Sequence, residues 1–369
     1  MTIVRKVLGF FAVILLCASV SFGEHGGQSV PLADKLKKAL EQSSLTGGHA
    51  KPFHVKVHLS EPANPASPYR ADIEESWVSP QQWSRTIETP DFKQTLVVNG
   101  DKTSEQITGD YYPLWLRAFV NGLFDPIPNA DVWKKQDSKV AQTTLPNGQY
   151  SEGCARMKIK LGSDKVSNDT FASICFDEAG RLKNVGSPGY DMEFHDYQKF
   201  GEKMIARRYQ FDPEPGTDLV ANVVLLEELK PDAALFAMEH ATPAEQRLQS
   251  IHVTQATIEQ VSDSEPAMVW PTVKSGKTSG VLSMYISVDR QGRVREAYPL
   301  NADNAGLQDV ARDQLLKWKL KAMVVKGVPV QAESAMTFRF DTKLAGSRAP
   351  AAQDLSVSVG GDGVSSGTH

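Results

Sequence analysis

The feature that most constrains this chain is a series of short runs in which apolar and polar residues alternate. In the first run, Phe53, Val55 and Val57 are separated by single polar residues, and comparable runs recur as far as residue 226. Neighbouring side chains of a β-strand point to opposite faces, so each run predicts a strand with one buried face. Because turn sequences with Pro, Gly or Asn separate the runs, the sequence predicts an antiparallel sheet.

Two segments near these runs have a helical pattern instead. In residues 31–45 apolar residues recur at spacings of three and four, which predicts an amphipathic helix. Residues 112–124 are apolar and aromatic, and the sequence Asp125-Pro126 that follows them ends a helix. We therefore expect residues 24–229 to form one antiparallel sheet domain with helices on one side.

A smaller unit follows at residues 278–342. Its predicted order is strand, strand, helix and strand, at residues 280–289, 293–299, 304–321 and 335–341. The fold class predicted for the whole chain is therefore α+β, with a large antiparallel domain followed by a small ββαβ domain.

The remaining segments show less of the strand or helix periodicity. Residues 230–277 contain four of the prolines and are expected to connect the two domains, with a short strand near residues 251–258. Residues 343–369 contain no Phe, Tyr or Trp, and we expect a disordered tail there.

Length and charge narrow the function classes. A chain of 369 residues is long enough for about two domains. Its 40 Lys and Arg residues are outnumbered by 44 Asp and Glu residues, which leaves a net charge of −4 and makes nucleic acid an unsuitable partner.

The N-terminus has the pattern of an export signal. Arg5 and Lys6 precede an apolar stretch at residues 7–20, and Ser21 and Gly23 are small residues before a cleavage site at Glu24. Residues 1–23 are therefore predicted to be a cleaved signal peptide, and the mature protein is expected to be periplasmic or secreted. The alternative is an uncleaved signal that anchors the protein to the membrane.

Two cysteines remain after this cleavage. Cys154 and Cys175 lie on segments that we predict to be neighbouring strands, so their Cα atoms can come within bridging distance. An even pair in an exported protein favours a disulfide bond. Two buried free thiols are the alternative.

No catalytic, cofactor-binding or metal-binding residues are predicted. His54 and His58 share a strand face but lie about 13 Å apart at about 3.3 Å per residue, too far to bind one ion. His195 has no Ser or Cys nucleophile beside it, Gly276-Lys277-Thr278 lacks the first glycine of a phosphate-binding loop, and residues 363–367 have the spelling of a nucleophile elbow without its strand and helix. The sequence thus favours a protein that is not an enzyme and has no cofactor.

Residues 270–341 resemble the C-terminal domain of the TonB energy-transducer family. The resemblance rests on motifs in the same order, at residues 280–282, 288–294, 317–321 and 327–330. In that family the last strand of the sheet pairs with a segment of an outer-membrane receptor. The resemblance therefore implies an outer-membrane or other envelope protein as the partner, added as a strand along Gln331, Glu333, Ala335, Thr337 and Arg339. The alternative is an edge that the connection or the first domain covers.

The first domain resembles periplasmic lipoprotein carriers of the LolA type. The matching motifs lie at residues 75–80, 83–85, 175–182 and 196–201. In that family a curved half-barrel sheet covers helices around an apolar cavity, so the resemblance implies an acyl chain as a possible ligand.

Two functional hypotheses follow. The first is a non-enzymatic exported envelope protein with a TonB-type C-terminal interaction module and a link to TonB-dependent transport. The alternative is a periplasmic lipid or lipoprotein carrier that uses the N-terminal half-barrel. An envelope hydrolase is a third possibility, and it requires a nucleophile and a base that converge in a cleft.

Overall fold

The computed structural model describes residues 32–127, 143–144, 150–151, 154–162, 167–187, 190–213, 217–230, 232–262 and 268–345. The predicted signal peptide and residues 346–369 of the predicted tail lie outside the described residues. The α-helices are α1 (Leu32–Ser43), α2 (Leu114–Phe124), α3 (Gln255–Val261) and α4 (Gln308–Leu315). The strands are β1 (Phe53–Ser60), β2 (Ala71–Ser79), β3 (Gln82–Glu88), β4 (Lys93–Asn99), β5 (Lys102–Thr108), β6 (Thr143–Thr144), β7 (Tyr150–Ser151), β8 (Cys154–Gly162), β9 (Ser167–Phe176), β10 (Leu182–Ser187), β11 (Tyr190–His195), β12 (Gln198–Phe200), β13 (Lys203–Ile205), β14 (Arg208–Asp212), β15 (Leu219–Glu228), β16 (Ser250–His252), β17 (Ser279–Val288), β18 (Val294–Ala302), β19 (Val324–Val325), β20 (Val328–Pro329) and β21 (Gln331–Asp341).

The first domain is built on one large antiparallel sheet. Its strand order is β5-β4-β3-β2-β1-β15-β14-β11-β10-β9-β8. The first strand of the chain therefore lies in the interior of the sheet, where β1 pairs with β2 on one side and with β15 on the other. The predicted α+β fold class and antiparallel sheet are confirmed.

The alternation of apolar and polar residues in β1 gives one buried and one more exposed face, as predicted. Phe53, Val55, Val57 and Leu59 are buried on the face that packs on the helices, whereas His58 on the opposite face is exposed. Helix α1 adds its own buried stripe to this core through Leu32, Leu36 and Ala39. Helix α2 is buried along most of its length.

The second domain has a mixed sheet of order β16-β21-β17-β18. Strand β16 comes from the predicted connection and pairs in parallel with β21, so the sheet has one more strand than the predicted ββαβ unit. Helix α4 covers one face, where Leu282, Met284 and Ile286 of β17 meet its apolar residues.

Helix α4 is shorter than the sequence predicts. The predicted helix runs over residues 304–321, but α4 ends at Leu315, although a short 3-10 helix precedes it at Ala305–Leu307. Beyond Trp318 the backbone bonds to other segments, since the N–H of Leu320 donates to the carbonyl of Gly292 and that of Lys321 to the carbonyl of Val261. These long-range bonds replace the i to i−4 bonds that would extend the helix.

Candidate functional site at the junction of the two domains

The second sheet has a polar face that lies against the first domain. On β17 and β21 most of the residues that alternate with the α4-facing ones are polar, and Ser283, Gln331, Glu333 and Thr337 are all buried. The hydroxyls of Ser283 and Thr337 bond to each other at 2.8 Å. Strands β8 and β9 of the first domain contact this sheet. We call this polar face and the residues 110–117 that it binds the junction.

Glu296 of β18 holds the start of α2. Its carboxylate accepts hydrogen bonds from the N–H of Leu114 at 2.6 Å, from the N–H of Trp115 at 3.4 Å and from the Tyr111 hydroxyl at 2.6 Å. The Tyr298 hydroxyl also donates to it. The carboxylate thus belongs to one domain and the helix that it binds to the other.

The sequence around α2 explains why this carboxylate is needed. The first N–H groups of a helix have no partner within the helix, and an N-cap side chain commonly satisfies them. The residue before α2 is Pro113, which supplies no such side chain. Glu296 performs the capping instead, and its negative charge is favourable at the positive end of the helix dipole.

Burial changes the acid–base properties of this site. Burial raises the pKa of Glu296, and the hydrogen bonds donated by Tyr111 and by the N–H of Leu114 only partly oppose this effect. Burial also raises the pKa of Tyr111, and the nearby Glu296 carboxylate raises it further. The hydroxyl of Tyr111 therefore remains a proton donor to Glu296.

Gln331 binds the backbone of the segment before α2. Its carboxamide oxygen accepts from the N–H of Tyr112 at 2.9 Å, and its amide nitrogen donates to the carbonyl of the same residue at 3.0 Å. These two bonds are the ones that a neighbouring strand would make, so a buried side chain pairs with this backbone as a strand does.

Glu333 completes the buried part of the junction. Its carboxylate lies 3.2 Å from Arg117 of α2 and 3.4 Å from the exposed His252 of β16. The Nδ1 atom of His252 lies 2.9 Å from the Tyr285 hydroxyl. An ion pair thus joins the second turn of α2 to β21.

The rim of the junction is formed by exposed ion pairs. Asp110 lies 2.6 Å from Arg293 and 3.4 Å from Arg295. The Arg295 guanidinium also lies over the Tyr111 ring, 4.9 Å from its centroid. Burial alone would raise the pKa of Asp110, but the hydrogen bond from Arg293 and the charges of both arginines lower it.

The predicted partner-binding edge of β21 is occupied within the chain. Gln331 and Glu333 pair with β16, and the side chain of Gln255 bonds both the N–H and the carbonyl of Thr337. The indole of Trp270 donates to the carbonyl of Arg339. Ala335 pairs with Tyr285 of β17 on the other side of β21. Addition of a partner strand at this edge would have to displace these contacts, and it stays a prediction.

The other residues singled out in the sequence have local partners. Cys154 and Cys175 face each other on β8 and β9 and form the predicted disulfide bond. His54 pairs with Glu74, His58 with Asp72 and His195 with Glu193, each through a carboxylate on the sheet surface. Among the described residues there is no group of His, Cys, Asp and Glu that could hold a metal ion.

The contacts of α2 inside the first domain are mainly aromatic. Phe119 packs against the rings of Tyr209 and Phe211, with centroids 6.2 and 5.5 Å away. Near the end of the helix, the Arg85 guanidinium lies 4.1 Å from the centroid of Phe124. Arg85 also pairs with the buried Glu75, whose pKa burial raises despite that charge.

Sequence reasoning did not identify Glu296, Tyr111 or Arg117. The only signal in the sequence is that β17, β18 and β21 carry polar residues on the face away from α4, a pattern that is equally typical of a solvated face. What lies on that face is decided by contacts across about 180 residues of chain.

Comparisons with known proteins found no match by sequence and only low overall similarity to solved structures. No family model matches the chain, and no curated protein matches it. A LolA superfamily protein from Nitrosomonas europaea has 9% identity and a TM-score of 0.27, over 57% of this chain and 99% of that one. A putative outer membrane lipoprotein-sorting protein domain from Vibrio parahaemolyticus has 10% identity and a TM-score of 0.28, over 55% and 95%. A DUF1329 family protein from Desulfovibrio piger has 9% identity and a TM-score of 0.27, over 56% and 95%.

These similarities concern a little over half of the chain. None of the helices in the described ranges has the length and apolar character needed to cross a membrane. The resemblance of residues 270–341 to a TonB C-terminal domain has no support from the comparisons.

Proposed function

We propose that this protein is an envelope carrier of apolar ligands with acyl chains, and that the large sheet and α2 form its ligand site. The contacts of α2 support a sheet that curves around this helix. Phe124 lies against Arg85 of β3, whereas Gly122 approaches Met192 of β11 so closely that a Cβ there would lie 2.6 Å from the sulfur. In a flat sheet β3 and β11 would be about 24 Å apart, because five spacings of about 4.8 Å separate them. A single helical turn reaches both strands when the sheet bends around it.

Helix α2 occupies the place that an acyl chain would take. It has 11 residues, and its buried side chains include Trp115, Phe119 and Phe124. At 1.5 Å per residue the helix is about 16 Å long, comparable in length to a long acyl chain. Burial of about twelve methylenes of a ligand would contribute about 10 kcal/mol of hydrophobic stabilisation. This contribution offsets the apolar burial that α2 loses when it moves aside.

The observation that carries the proposal is the way in which α2 is held. Its first turn is capped by Glu296 of the second domain, and its second turn is paired with Glu333 of the same domain. Polar interfaces between domains permit relative motion more readily than large apolar ones. A shift of the second domain would therefore release the start of the helix from outside the core.

The first experiment is lipid analysis of the protein after purification from a cell that exports it. The purified chain is extracted with organic solvent, and the extract is analysed by mass spectrometry. A stoichiometric lipid or acylated peptide is the expected result. A second domain separated from the first by proteolysis serves as the control fraction. A lipid content no higher than in that control would contradict the proposal.

The second experiment uses a variant that loosens α2 without changing the apolar lining. Glu296→Ala removes both acceptor oxygens that hold the start of α2, and it should raise the apparent affinity for a fluorescent fatty acid about tenfold, because a docked helix competes with the ligand. Glu88→Gln removes an equal charge from an exposed pair with Lys93 and should leave the affinity unchanged. Equal affinities of the two variants would refute competition between α2 and the ligand.

A further inference from the structure

A basic segment follows α4 and remains outside the function proposed above. Residues 316–326 contain four lysines, at positions 317, 319, 321 and 326, and no acidic residue, although the whole chain has a net charge of −4. The nearest acidic residues before it, Asp309 and Asp313, lie close to Arg312. The segment is therefore a local concentration of positive charge in an acidic protein.

The backbone presents these lysines to solvent. Lys317, Lys319 and Lys321 are exposed, whereas Leu320 between them is buried and Trp318 packs on Phe338 of β21. The charged side chains of this segment therefore lie in solvent, whereas its apolar side chains pack inward. Among the described residues, Lys317 and Lys319 form no ion pair with a carboxylate.

The segment ends in a small hairpin with an exposed tip. Strands β19 and β20 are joined by Lys326 and Gly327, which both have positive φ angles, of 51° and 83°. Such a two-residue turn is the tight turn typical of hairpins. It leaves Lys326 exposed at the tip and the side chain of Val324 59% exposed.

Exposed apolar side chains accompany the charges. Leu316 is 42% exposed, and Val269, which bonds to Gln314 at the end of α4, is 71% exposed. Lysines interspersed with exposed apolar residues are typical of a surface that rests on a membrane, since the charges attract anionic lipids and the apolar groups enter the headgroup region. We call Leu316, Lys317, Lys319, Val324 and Lys326 the basic patch.

We propose that the basic patch is a docking surface for an anionic phospholipid bilayer. Charge complementarity selects this occupant, because the patch combines several point charges with protruding apolar side chains. Lysines are suited to a diffuse layer of negative charge, whereas arginines favour planar bidentate contacts with single groups. This inference goes beyond the carrier function and stands without it, since it needs no ligand inside the large sheet.

The test is a vesicle sedimentation assay with the chain lacking residues 1–23. The probes are phosphatidylcholine vesicles with and without about 30% phosphatidylglycerol. We expect binding to the anionic vesicles only, and its loss in about 0.5 M NaCl, where charges are screened within a few ångströms. Equal binding to both kinds of vesicle, or no binding to the anionic ones, would overturn the proposal.

Variants with matched charge identify the surface. Each lysine near an anionic membrane contributes about fivefold to binding, so the triple variant Lys317→Ala, Lys319→Ala, Lys326→Ala should bind on the order of 100-fold more weakly. The control triple variant Lys37→Ala, Lys102→Ala, Lys199→Ala removes equal charge from exposed positions of the first domain. Equal weakening in both triple variants would assign the effect to net charge and overturn the assignment to the basic patch. Unchanged circular dichroism would show that all these variants are folded.

Discussion

Removal of the Glu296 carboxylate is the most direct test of how the two domains hold α2. Glu296→Ala deletes the acceptor of the bonds from Tyr111, Leu114, Trp115 and Tyr298. A hydrogen bond to a charged group contributes about 1.5 to 3 kcal/mol, and water entering the truncated site replaces part of this. We therefore expect the free energy needed to open α2 to fall by about 3 to 5 kcal/mol.

Hydrogen exchange measured by mass spectrometry is the suitable assay, because a chain with two domains need not unfold in one step. Peptides that cover α2 should exchange at least about 100-fold faster in Glu296→Ala, since each 1.4 kcal/mol is a factor of ten. Peptides from β1 and β15, which lie in the interior of the large sheet, should be unaffected. Exchange of α2 no faster than in the control variant Glu88→Gln would refute the reasoning.

The raised pKa of Glu296 adds a test that depends on pH. Burial raises its pKa above the ordinary 4.5, so the folded state takes up the proton at a higher pH than the unfolded state does. As the pH falls through the pKa of Glu296 in the folded state toward 4.5, the wild type should therefore gain stability. The variant Glu296→Gln has no titrating group at this position and should not gain it. Urea denaturation at several pH values should show this difference grow on acidification and become constant below about 4.5.

Three further predictions concern other contacts. Replacement of both Cys154 and Cys175 by Ala should lower the free energy of unfolding by about 3 kcal/mol, measured by urea denaturation against the oxidised wild type, whereas an unchanged midpoint would contradict a stabilising bond. The buried Lys203 donates to the carbonyls of Ser44 and Gly47, which follow α1. Lys203→Met should therefore lower the free energy of unfolding by about 1 to 3 kcal/mol in the same assay. An equal loss in the exposed control Lys199→Met would count against this role. Asp110→Asn should cost only about 0.5 to 1 kcal/mol, because its ion pairs are exposed. The pKa of Asp110 lies below its ordinary 3.8, and the cost should disappear as the pH falls from 3.8 through this lowered pKa. A difference in stability that persists in acid would contradict the ion-pair explanation.

Local patterns in the sequence predicted most of the elements. The alternation in residues 53–59 predicted β1, and the helical spacing in residues 31–45 predicted α1, because both patterns come from the geometry of a single segment. The turn between neighbouring strands also brought Cys154 opposite Cys175. The end of α4 was predicted wrongly, since Leu320 bonds to Gly292 in a distant turn and no local signal records this bond.

Long-range order could not be predicted in the same way. The pairing of β1 with β15 places the first strand inside the sheet, and nothing in either strand specifies the other as its neighbour. Gln331 was singled out for its place on β21, but its side chain binds Tyr112, which lies 219 residues away. Export, the absence of enzymatic activity and addition of a partner strand stay predictions.

The sequence by itself determined which residues of each strand share a face, because the period of two follows from backbone geometry. It also determined that the chain is α+β and that two cysteines lie on neighbouring strands. Only the tertiary structure decided that the polar face carrying Glu296 and Gln331 meets residues 110–117 and not water. The physical reason is that alternation reports the direction of a side chain, whereas its partner depends on how distant segments pack.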